Sequence, residues 1–290
     1  MKILIIGRNG MIGSSIFEYF SKKYTVYGTV RKKRTDYNFS LKKNIIENID
    51  LKNINLIHEV INTLLPDVVI NCSGIIKQKS NQYSDYEHLY FNSEVPILLS
   101  KICNKKNIRL INLSTDCVFD GANGYYNEGD IPNATDIYGL SKIKGEINQH
   151  GCLTIRTSTI GLELGKSHGL IEWFLDQNKQ TIVGYENAMY SGLTIKELSR
   201  YLEHIIINFP DIWGIYNMAS KKISKYELLL TLSKKLDFHS IVIEKDTKFI
   251  CDRSLDGRLL DSLTGFKSLS WNKMLSNLAT DINNRSKTRK

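Results

Sequence analysis

The sequence lacks long apolar runs and paired cysteine motifs. No stretch of the 290 residues approaches the roughly 18 apolar residues that a membrane-spanning helix needs, so no membrane segment is expected. The apolar stretch after Lys2 is too short for the core of a signal peptide, and we expect it to form a first strand. The five cysteines include no CxxC pair and leave one over, which favours reduced thiols and a cytoplasmic location.

The net charge of +9 is concentrated in two basic runs. One is RKKR at residues 31–34, directly after a predicted strand, and the other is the terminal segment 285–290, which we predict to be a disordered tail. Neither run has the interleaved aromatic residues of a single-stranded nucleic-acid platform, and the sequence contains no DNA-binding motif. We therefore expect no nucleic-acid partner, and a small anionic ligand better explains the first run.

Short apolar strands alternate with helical stretches over the first half of the chain. This alternation is typical of βαβ units with a parallel sheet, and the runs KILII and DVVINC fit strands that are buried on both faces. The right-handed crossover rule then predicts a Rossmann-type doubly wound α/β sheet with the strand order 3-2-1-4-5-6. The predicted strands are 2–6, 25–30, 44–49, 68–72, 109–114 and 153–156, and the predicted helices are 11–22, 53–65, 84–106 and 136–150.

The pattern becomes less regular after about residue 160, and no repeat or low-complexity linker separates the two halves. We predict an NAD(P)-binding domain over 1–160, a small α/β substrate-binding lobe over 161–284 that is interleaved with it, and the basic tail 285–290. In the second half the predicted helices are 170–177, 194–208, 224–236 and 271–284, and the predicted strands are 215–218 and 240–244.

Three glycines, Gly7, Gly10 and Gly13, follow the first predicted strand with the spacing GxxGxxG. In a strand–turn–helix setting, such glycines allow a tight turn, a close approach of the backbone to a pyrophosphate, and close packing of helix on strand. The helix that opens at Met11 and Ile12 supplies unpaired N–H groups and partial positive charge for the phosphates. The motif therefore predicts a nicotinamide dinucleotide cofactor.

The end of the second strand distinguishes NADPH from NADH. An acidic residue there would hold the ribose hydroxyls of NAD, whereas this chain has Arg31 at that point and Arg8 in the glycine loop. Guanidinium groups suit a 2′-phosphate, so NADPH is the preferred prediction and NADH the alternative. A solvated basic turn would explain the same residues without a ligand.

Two further turns are placed to meet the cofactor. Asp50 and Leu51 close the third strand, where the adenine is expected. Cys72, Ser73 and Gly74 follow the fourth strand and have small side chains where the cofactor must cross the sheet edge. Cys72 is otherwise explained as a buried small hydrophobic residue.

The residues expected to carry the reaction follow the fifth strand and open the next helix. Thr115 is expected to project from the carboxyl end of the sheet, where ligands bind in such folds. Tyr138 and Lys142 are one helical turn apart, and a cationic Lys is expected to lower the pKa of the phenol. Hydride transfer to a carbonyl requires a proton and hydrogen-bond donors at the developing alkoxide. The pattern predicts Tyr138 as the proton donor, Thr115 as a second donor, and Lys142 as the residue that tunes Tyr138 and holds the nicotinamide ribose.

These motifs together resemble those of the extended short-chain dehydrogenase/reductases. The stretch from STDCVFDG to DIYGLSKIKGE is similar to the dTDP-4-dehydrorhamnose reductase (RmlD-like) group, and the similarity covers nearly the whole chain. The resemblance implies NADPH-dependent reduction of the 4-keto group of a nucleotide-linked 6-deoxyhexose for cell-surface polysaccharide. It implies cofactor contacts at Gly10-Met11-Ile12, Asp50-Leu51, Cys72-Ser73-Gly74, Tyr138 and Lys142, and substrate contacts at Thr115-Asp116 and near Thr159.

The sequence departs from this group at two places. The group usually has an Ala-rich stretch after the fourth strand, where this chain has NCSGIIKQKSNQ, so a UDP-linked N-acetylated 4-keto sugar fits as well as dTDP-4-dehydrorhamnose. Cys117 stands where Tyr is usual. The related 4,6-dehydratases carry Glu there, which argues against dehydration, whereas GDP-fucose synthase carries Cys and a distant His. Cys117 and His168 are therefore an alternative pair for a bifunctional epimerase/4-reductase, and a packed Cys with a surface His is the simpler explanation.

Other candidates concern the substrate lobe and the assembly. Tyr190-Ser191-Gly192 and Arg253 are candidates to face the sugar nucleotide. Arg253 suits a diphosphate, and RSLD at 253–256 resembles the C-terminal motif of the group. Asn92 is a candidate to orient the active-site helix or a water. A third hypothesis is a catalytically silent nucleotide-binding or regulatory protein, which the presence of both Tyr138 and Lys142 disfavours. No metal site is predicted, and a homodimer is a possible assembly.

Overall fold

The computed structural model describes residues 1–32, 44–164, 169–177, 179–238 and 240–288. The strands are β1 Lys2–Ile6, β2 Thr25–Thr29, β3 Ile45–Ile46, β4 Val68–Asn71, β5 Arg109–Leu113, β6 Cys152–Arg156, β7 Thr159–Ile160, β8 Thr181–Tyr190, β9 Leu193–Thr194, β10 Gly214–Asn217, β11 Ile223–Ser224 and β12 Val242–Asp252. The helices are α1 Met11–Phe20, α2 Ile54–Leu64, α3 Asp85–Leu89, α4 Val95–Asn104, α5 Ile137–Lys144, α6 Leu170–Asp176, α7 Ile195–Asn208, α8 Lys225–Lys235, α9 Arg258–Thr264 and α10 Trp271–Thr288.

The centre of the fold is a seven-stranded parallel sheet in the order β10-β6-β5-β4-β1-β2-β3. The predicted doubly wound order 3-2-1-4-5-6 is thereby confirmed, and β10 adds a seventh strand beside β6. The middle strand β1 is paired on both sides, and Ile3 to Ile6 are fully buried. Burial on both faces explains why this strand is a continuous apolar run in the sequence.

Helices cover both faces of the sheet. On one face, α1 and α7 pack together through a cluster that includes Phe17, Phe20 and Tyr201. On the other face, Ile57 and Ile61 of α2 meet the buried side chains of α4. The carboxyl ends of the strands open between these two layers, which is where ligands bind in doubly wound folds.

The helix predicted over 84–106 is interrupted. Between α3 and α4 the backbone forms one π-helical turn, Tyr90–Glu94. The helix predicted over 136–150 ends earlier, at Lys144. It packs so closely on the π-helical turn that a Cβ at Gly145 would lie 1.9 Å from the Asn92 carbonyl oxygen.

The second half forms a three-stranded sheet with the order β11-β8-β12, and β7 pairs with β9. The strand predicted at 240–244 is much longer, because β12 runs parallel to β8 over most of its length. The pairing is irregular between Asp246 and Ile250. Strand β8, which the sequence analysis missed, is the middle strand of this sheet.

The second half also contributes to the central sheet and its helical layer. Strand β10 pairs with β6, and Glu203 of α7 accepts hydrogen bonds from the hydroxyls of Tyr19 (2.8 Å) and Tyr24 (2.9 Å). The proposed division at residue 160 stays a prediction. The predicted start of a disordered tail at Arg285 is wrong, because α10 continues to Thr288 and the Arg285 guanidinium binds the Glu172 carboxylate. None of the described helices is long and apolar enough to span a membrane.

Candidate active site

The glycine loop connects β1 to α1 at the carboxyl edge of the sheet. Gly7 has a φ of +80°, and a Cβ there would lie 3.0 Å from the backbone of Ser73. A Cβ at Gly13 would lie 2.3 Å from the Gly7 carbonyl oxygen, so neither position accepts a side chain. Gly10 is exposed and is the N-cap residue of α1. The loop therefore presents the first amide groups of α1, at Met11 and Ile12, to a ligand at the sheet edge.

The two arginines predicted near a 2′-phosphate have different environments. Arg31 and Lys32 are exposed and directly follow Val30, and residues 33 and 34 of that basic run lie outside the described residues. Arg8 is buried, and its guanidinium carbon lies 5.1 Å from the centroid of the Phe17 ring. Arg8 thus packs against α1, and Arg31 is the arginine at the surface.

The turn after β3 is held against the π-helical turn. Asp50 accepts a hydrogen bond from the amide of Lys52 (3.0 Å), and the Tyr90 hydroxyl donates to the carbonyl of Leu51 (2.9 Å). The amide of Ile49 donates to the carbonyl of Val30 at the end of β2 (3.0 Å). These bonds fix Asp50 and Leu51 at the side of the sheet where the adenine was expected.

The segment Cys72-Ser73-Gly74 lies between the glycine loop and Asn92. Ser73 donates to the Asn71 side-chain oxygen from both its amide (3.1 Å) and its hydroxyl (2.6 Å). Gly74 has a φ of +151°, and a Cβ there would lie 2.7 Å from the Asn92 side-chain oxygen. Burial raises the pKa of the Cys72 thiol to about 12, so this thiol is neutral at physiological pH.

Thr115 and Asp116 follow β5, and their side chains are hydrogen-bonded to each other. The Thr115 hydroxyl donates to the Asp116 carboxylate (3.1 Å) and accepts from the amide of Cys117 (3.2 Å). Burial raises the pKa of Asp116, and hydrogen bonds from Thr115, Cys117 and Ser158 oppose this shift. The carboxyl group therefore lies in the interior of the site, among hydroxyl groups.

Tyr138 and Lys142 are presented by α5. Asp136 is the N-cap of this helix, and its Oδ1 accepts a hydrogen bond from the amide of Gly139 (2.9 Å). The Lys142 ammonium donates to the carbonyl of Leu113, the last residue of β5 (2.7 Å). This bond ties the helix to the strand that carries Thr115.

The ionisation of this pair differs from the prediction. Burial raises the pKa of Tyr138, with a further rise from Cys117, and Thr115 opposes the shift. Burial also lowers the pKa of Lys142 to about 8, against the opposing charge of Glu146. The expected lowering of the Tyr138 pKa by Lys142 is therefore wrong for this structure, because burial of the phenol, with smaller contributions from Cys117 and Asp116, raises its pKa, while the Lys142 ammonium is bonded to the carbonyl of Leu113.

Asn92 connects the turn after β4 to the active-site helix. Its side-chain oxygen accepts from the amide of Ile75 (2.9 Å), and its side-chain nitrogen donates to the carbonyl of Ile75 (3.2 Å) and to the hydroxyl of Ser141 (3.0 Å). Ser141 in turn donates to the carbonyl of Tyr138 (2.8 Å). Asn92 thus orients the active-site helix, which was one of its two expected roles.

The second half supplies further groups to the same region. Arg253 donates from Nε to the carbonyl of Phe119 (2.9 Å), and its charge acts on Asp116 and Cys117. Tyr190, one of the candidates to face the sugar nucleotide, is buried beside Asp116 and Ser158.

The remaining candidates from the sequence are Thr159, Cys117 and His168. Thr159 is half-buried in β7, where it pairs with Leu193. Burial raises the pKa of the Cys117 thiol to about 12, and His168 lies outside the described residues. Within the described ranges, no group of three or more His, Cys, Asp or Glu side chains could hold a metal ion.

Comparison with known proteins identifies the family. Residues 1–245 match the family model described as RmlD substrate binding domain. The chain belongs to this family. The resemblance to the RmlD-like group, predicted from the motifs, is thereby confirmed.

The chain is similar to curated proteins that have different names. A probable low-salt glycan biosynthesis reductase, Agl14, of Haloferax volcanii is 26% identical over 171 residues, which are 58% of this chain and 54% of that protein. The mouse methionine adenosyltransferase 2 subunit beta is 26% identical over 258 residues, or 86% of this chain and 69% of that protein. A dTDP-4-dehydrorhamnose reductase of Aggregatibacter actinomycetemcomitans is 23% identical over 80% of this chain and 78% of that protein. The chain spans only about half the length of Agl14 and 41% of the bovine subunit beta.

Solved structures of low sequence identity share the fold. The dTDP-4-dehydrorhamnose reductase of Bacillus anthracis in complex with NADP has a TM-score of 0.78 at 19% identity, over 97% of this chain and 99% of that one. An L-threonine dehydrogenase of Clostridium difficile has a TM-score of 0.81 at 16% identity, over 98% of both chains. These similarities confirm the Rossmann-type fold and, at such identities, the fold alone.

Proposed function

We propose that this protein is an NADPH-dependent reductase of the 4-keto group of a nucleotide-linked 6-deoxyhexose, acting in cell-surface polysaccharide biosynthesis. The observation that carries the proposal is the convergence of Thr115, Tyr138 and Lys142 beside the glycine loop, with Lys142 bonded to the strand end that precedes Thr115. Membership of the RmlD family and similarity to proteins named as a glycan biosynthesis reductase and a dTDP-4-dehydrorhamnose reductase support the substrate class.

The glycine loop fits a dinucleotide because Gly7 and Gly13 leave no space for side chains and Gly10 is open to solvent. The amides at the start of α1 would hold the pyrophosphate, and the bound cofactor supplies the hydride for the ketone. Arg31, exposed at the end of β2, would bind a 2′-phosphate. An NADP complex of one structural relative supports NADPH, and the NAD complex of the Bordetella bronchiseptica enzyme WbmG keeps NADH as the alternative.

The residues of this chain would handle the proton and the charge. Because its pKa is raised, the Tyr138 phenol keeps its proton at neutral pH and can donate it to the oxygen that develops negative charge. The Thr115 hydroxyl would donate a hydrogen bond to the same oxygen. Lys142, with a pKa of about 8, is mostly charged at neutral pH, and it would hold the nicotinamide ribose.

A catalytically silent subunit is the second candidate function. The relatives named methionine adenosyltransferase 2 subunit beta support it, since they align with as much as 86% of this chain. The presence of Thr115, Tyr138 and Lys142 in one site favours the reductase. The bifunctional epimerase is weaker, because a thiol with a pKa of about 12 is a poor base at neutral pH.

The test is to offer a panel of dTDP-, UDP- and GDP-linked 4-keto-6-deoxysugars and to follow the absorbance of NADPH or NADH. We expect turnover with NADPH, and a loss of at least about 100-fold in kcat for Tyr138→Phe with little change in NADPH affinity. Tyr86→Phe, on the exposed side of α3, is the matched control.

Turnover that survives in Tyr138→Phe would contradict the assigned proton donor. No turnover by the unaltered protein with any sugar, together with normal cofactor binding, would favour the silent subunit. Product NMR separates reduction alone from epimerisation followed by reduction.

A further inference from the structure

A row of polar side chains crosses the buried centre of the sheet near the end of the active-site helix. Asn71, Asn112 and Thr154 are register partners on the neighbouring strands β4, β5 and β6. All three side chains are almost completely buried. A buried amide or hydroxyl destabilises the fold unless it is hydrogen-bonded, so the partners of these side chains show what the row holds in place.

Asn112 connects β4 to the end of the active-site helix. Its Oδ1 accepts a hydrogen bond from Nδ2 of Asn71 (3.0 Å), and its Nδ2 donates to the carbonyl of Gly145 (3.1 Å). Gly145 is the C-cap residue of α5. The next residue of β5, Leu113, accepts a hydrogen bond from the Lys142 ammonium. Two consecutive residues of β5 therefore hold the carboxyl-terminal turn of the helix.

Asn71 extends these hydrogen bonds to the glycine loop. Its Oδ1 accepts from both the amide (3.1 Å) and the hydroxyl (2.6 Å) of Ser73, which fixes the turn after β4. The Ser73 backbone packs so closely on Gly7 that a Cβ on Gly7 would lie 3.0 Å from it. Because Asn71 accepts at one end of its side chain and donates at the other, the hydrogen bonds run without a gap from Ser73 to Gly145.

We propose that Asn71 and Asn112 are positioning residues that couple the glycine loop to the active-site helix. The two side chains, which we call the amide relay, hold the turn that packs on the glycine loop at one end and α5 at the other. Since both side chains are buried, they act through Ser73 and Gly145 rather than by contact with a ligand. This coupling rests on the proposed function, in which the glycine loop binds the dinucleotide and α5 carries the proton donor.

Both ends of the amide relay bear on cofactor binding. The turn at Ser73 is where the cofactor is expected to cross the sheet edge, and Lys142 of α5 is expected to hold the nicotinamide ribose. A turn and a helix that are already fixed lose little conformational freedom when the cofactor binds, so the relay should increase the affinity for the cofactor. A purely structural role would instead change the free energy of unfolding and leave the affinity for the cofactor unchanged.

The test compares the affinity for NADP, followed by fluorescence, with the free energy of unfolding in urea. Asn112→Leu removes both hydrogen bonds of this side chain at similar volume, and Asn112→Thr is a second variant with a residue that strands favour. Thr154→Val is the matched control, because Thr154 is the register partner of Asn112 and its hydroxyl bonds to the backbone of Ile147 (3.1 and 2.9 Å).

We expect Asn112→Leu and Asn112→Thr each to weaken NADP binding about fivefold, the equivalent of about one hydrogen bond. Thr154→Val should lower the free energy of unfolding but leave NADP affinity within about twofold of the unaltered protein. With a sugar substrate, kcat should also fall in Asn112→Leu, because α5 loses the bond at its C-cap, and should remain in Thr154→Val.

A double-mutant cycle tests the coupling itself. Ser73→Ala removes the hydroxyl bond to Asn71 at the other end of the amide relay. If the relay couples the two ends, Ser73→Ala combined with Asn112→Leu should bind NADP about as weakly as the weaker single variant. For Ser73→Ala combined with Thr154→Val, the two effects on NADP affinity should multiply.

The relay and the reductase can fail separately. Equal NADP affinities of Asn112→Leu, Asn112→Thr and Thr154→Val would overturn the relay, and so would effects that multiply in the cycle of Ser73 with Asn112. Turnover of a sugar nucleotide with unchanged NADP affinity in Asn112→Leu would support the reductase and overturn the relay. Weaker NADP binding in Asn112→Leu, without turnover of any sugar by the unaltered protein, would contradict the reductase and support the relay.

Discussion

Tyr138 and Lys142 lie one turn apart on α5, and burial favours the neutral form of both. For Tyr138 this keeps the proton on the phenol over the whole physiological range. For Lys142 it brings the loss of the charge close to neutral pH, since the pKa is lowered from its usual range to about 8. The residue that limits activity at high pH is therefore expected to be Lys142.

The prediction at this scale concerns the pH profile. Lys142 is charged below about pH 8 and neutral above it, so kcat/KM should be level below pH 7 and fall about tenfold per pH unit above about 8. The affinity for NADP, followed by fluorescence, should fall over the same range. In Lys142→Arg the guanidinium stays charged, so the fall in affinity should move above pH 10 even if turnover is slow. If the affinity for NADP still falls near pH 8 in Lys142→Arg, a group other than Lys142 is responsible for the fall.

The sequence could predict which residues meet in the site but not their ionisation. Spacing alone places Lys142 one turn from Tyr138, and the end of a strand places Thr115 at the same edge. The direction of the Tyr138 pKa depends on burial and on Asp116 and Cys117, which reach it through the fold. The environment of Arg8 could not be predicted for a similar reason, because its position in the glycine loop does not reveal that its side chain packs on Phe17.

At the scale of elements, the π-helical turn between α3 and α4 joins three parts of the site. Tyr90 binds the turn after β3, and Asn92 binds both the turn after β4 and Ser141 of α5. Single π-helical turns inside helices occur frequently at functional sites.

The prediction at this scale is that Asn92→Ala weakens both stability and catalysis. The change would leave the backbone N–H and C=O of the buried Ile75 without a partner and would remove the bond to Ser141, so we expect a loss of about 2 kcal/mol in the free energy of unfolding. We also expect kcat to fall because α5 loses a contact that orients it, while Asn62→Ala on the exposed side of α2 should change stability by less than about 0.5 kcal/mol. Urea unfolding and steady-state kinetics measure the two effects. Equal stability of the two variants would show that the bonds of Asn92 are replaced by water.

Elements of the first half were predictable because buried parallel strands have a simple signature. Strand β1 was predicted at its observed bounds, and the other five strands of this half differ at their ends by one to three residues. The second half is different, because β8 and β12 carry charged residues and β12 is an exposed edge with an irregular register. Such strands lack the continuous apolar run and resemble loops in the sequence. The π-helical turn could not be predicted either, since it differs from an α-helix by one residue.

At the scale of the whole molecule, the two halves of the chain share one sheet and one core. Strand β10 completes the sheet beside β6, and α7 covers the α1 face through Leu198, Tyr201 and Leu202. The Glu203 carboxylate binds Tyr19 and Tyr24 across the same contact. The active site has the same composite origin, because Arg253 and Tyr190 meet Asp116 from the second half.

A fragment of residues 1–160 is therefore expected not to fold by itself. Without α7, the buried side chains of α1, including Phe17 and Phe20, would be exposed to water, and β6 would become an open edge that favours aggregation. We expect the fragment to show no cooperative urea transition and no dispersed NMR spectrum, while the full chain unfolds in one transition with the slope expected for its size. A chain shortened to residues 1–288 is the control and should unfold like the full chain. If the fragment shows a cooperative transition and still binds NADP, the prediction is wrong. Residues 1–160 would then be an independent domain whose core does not need the second half.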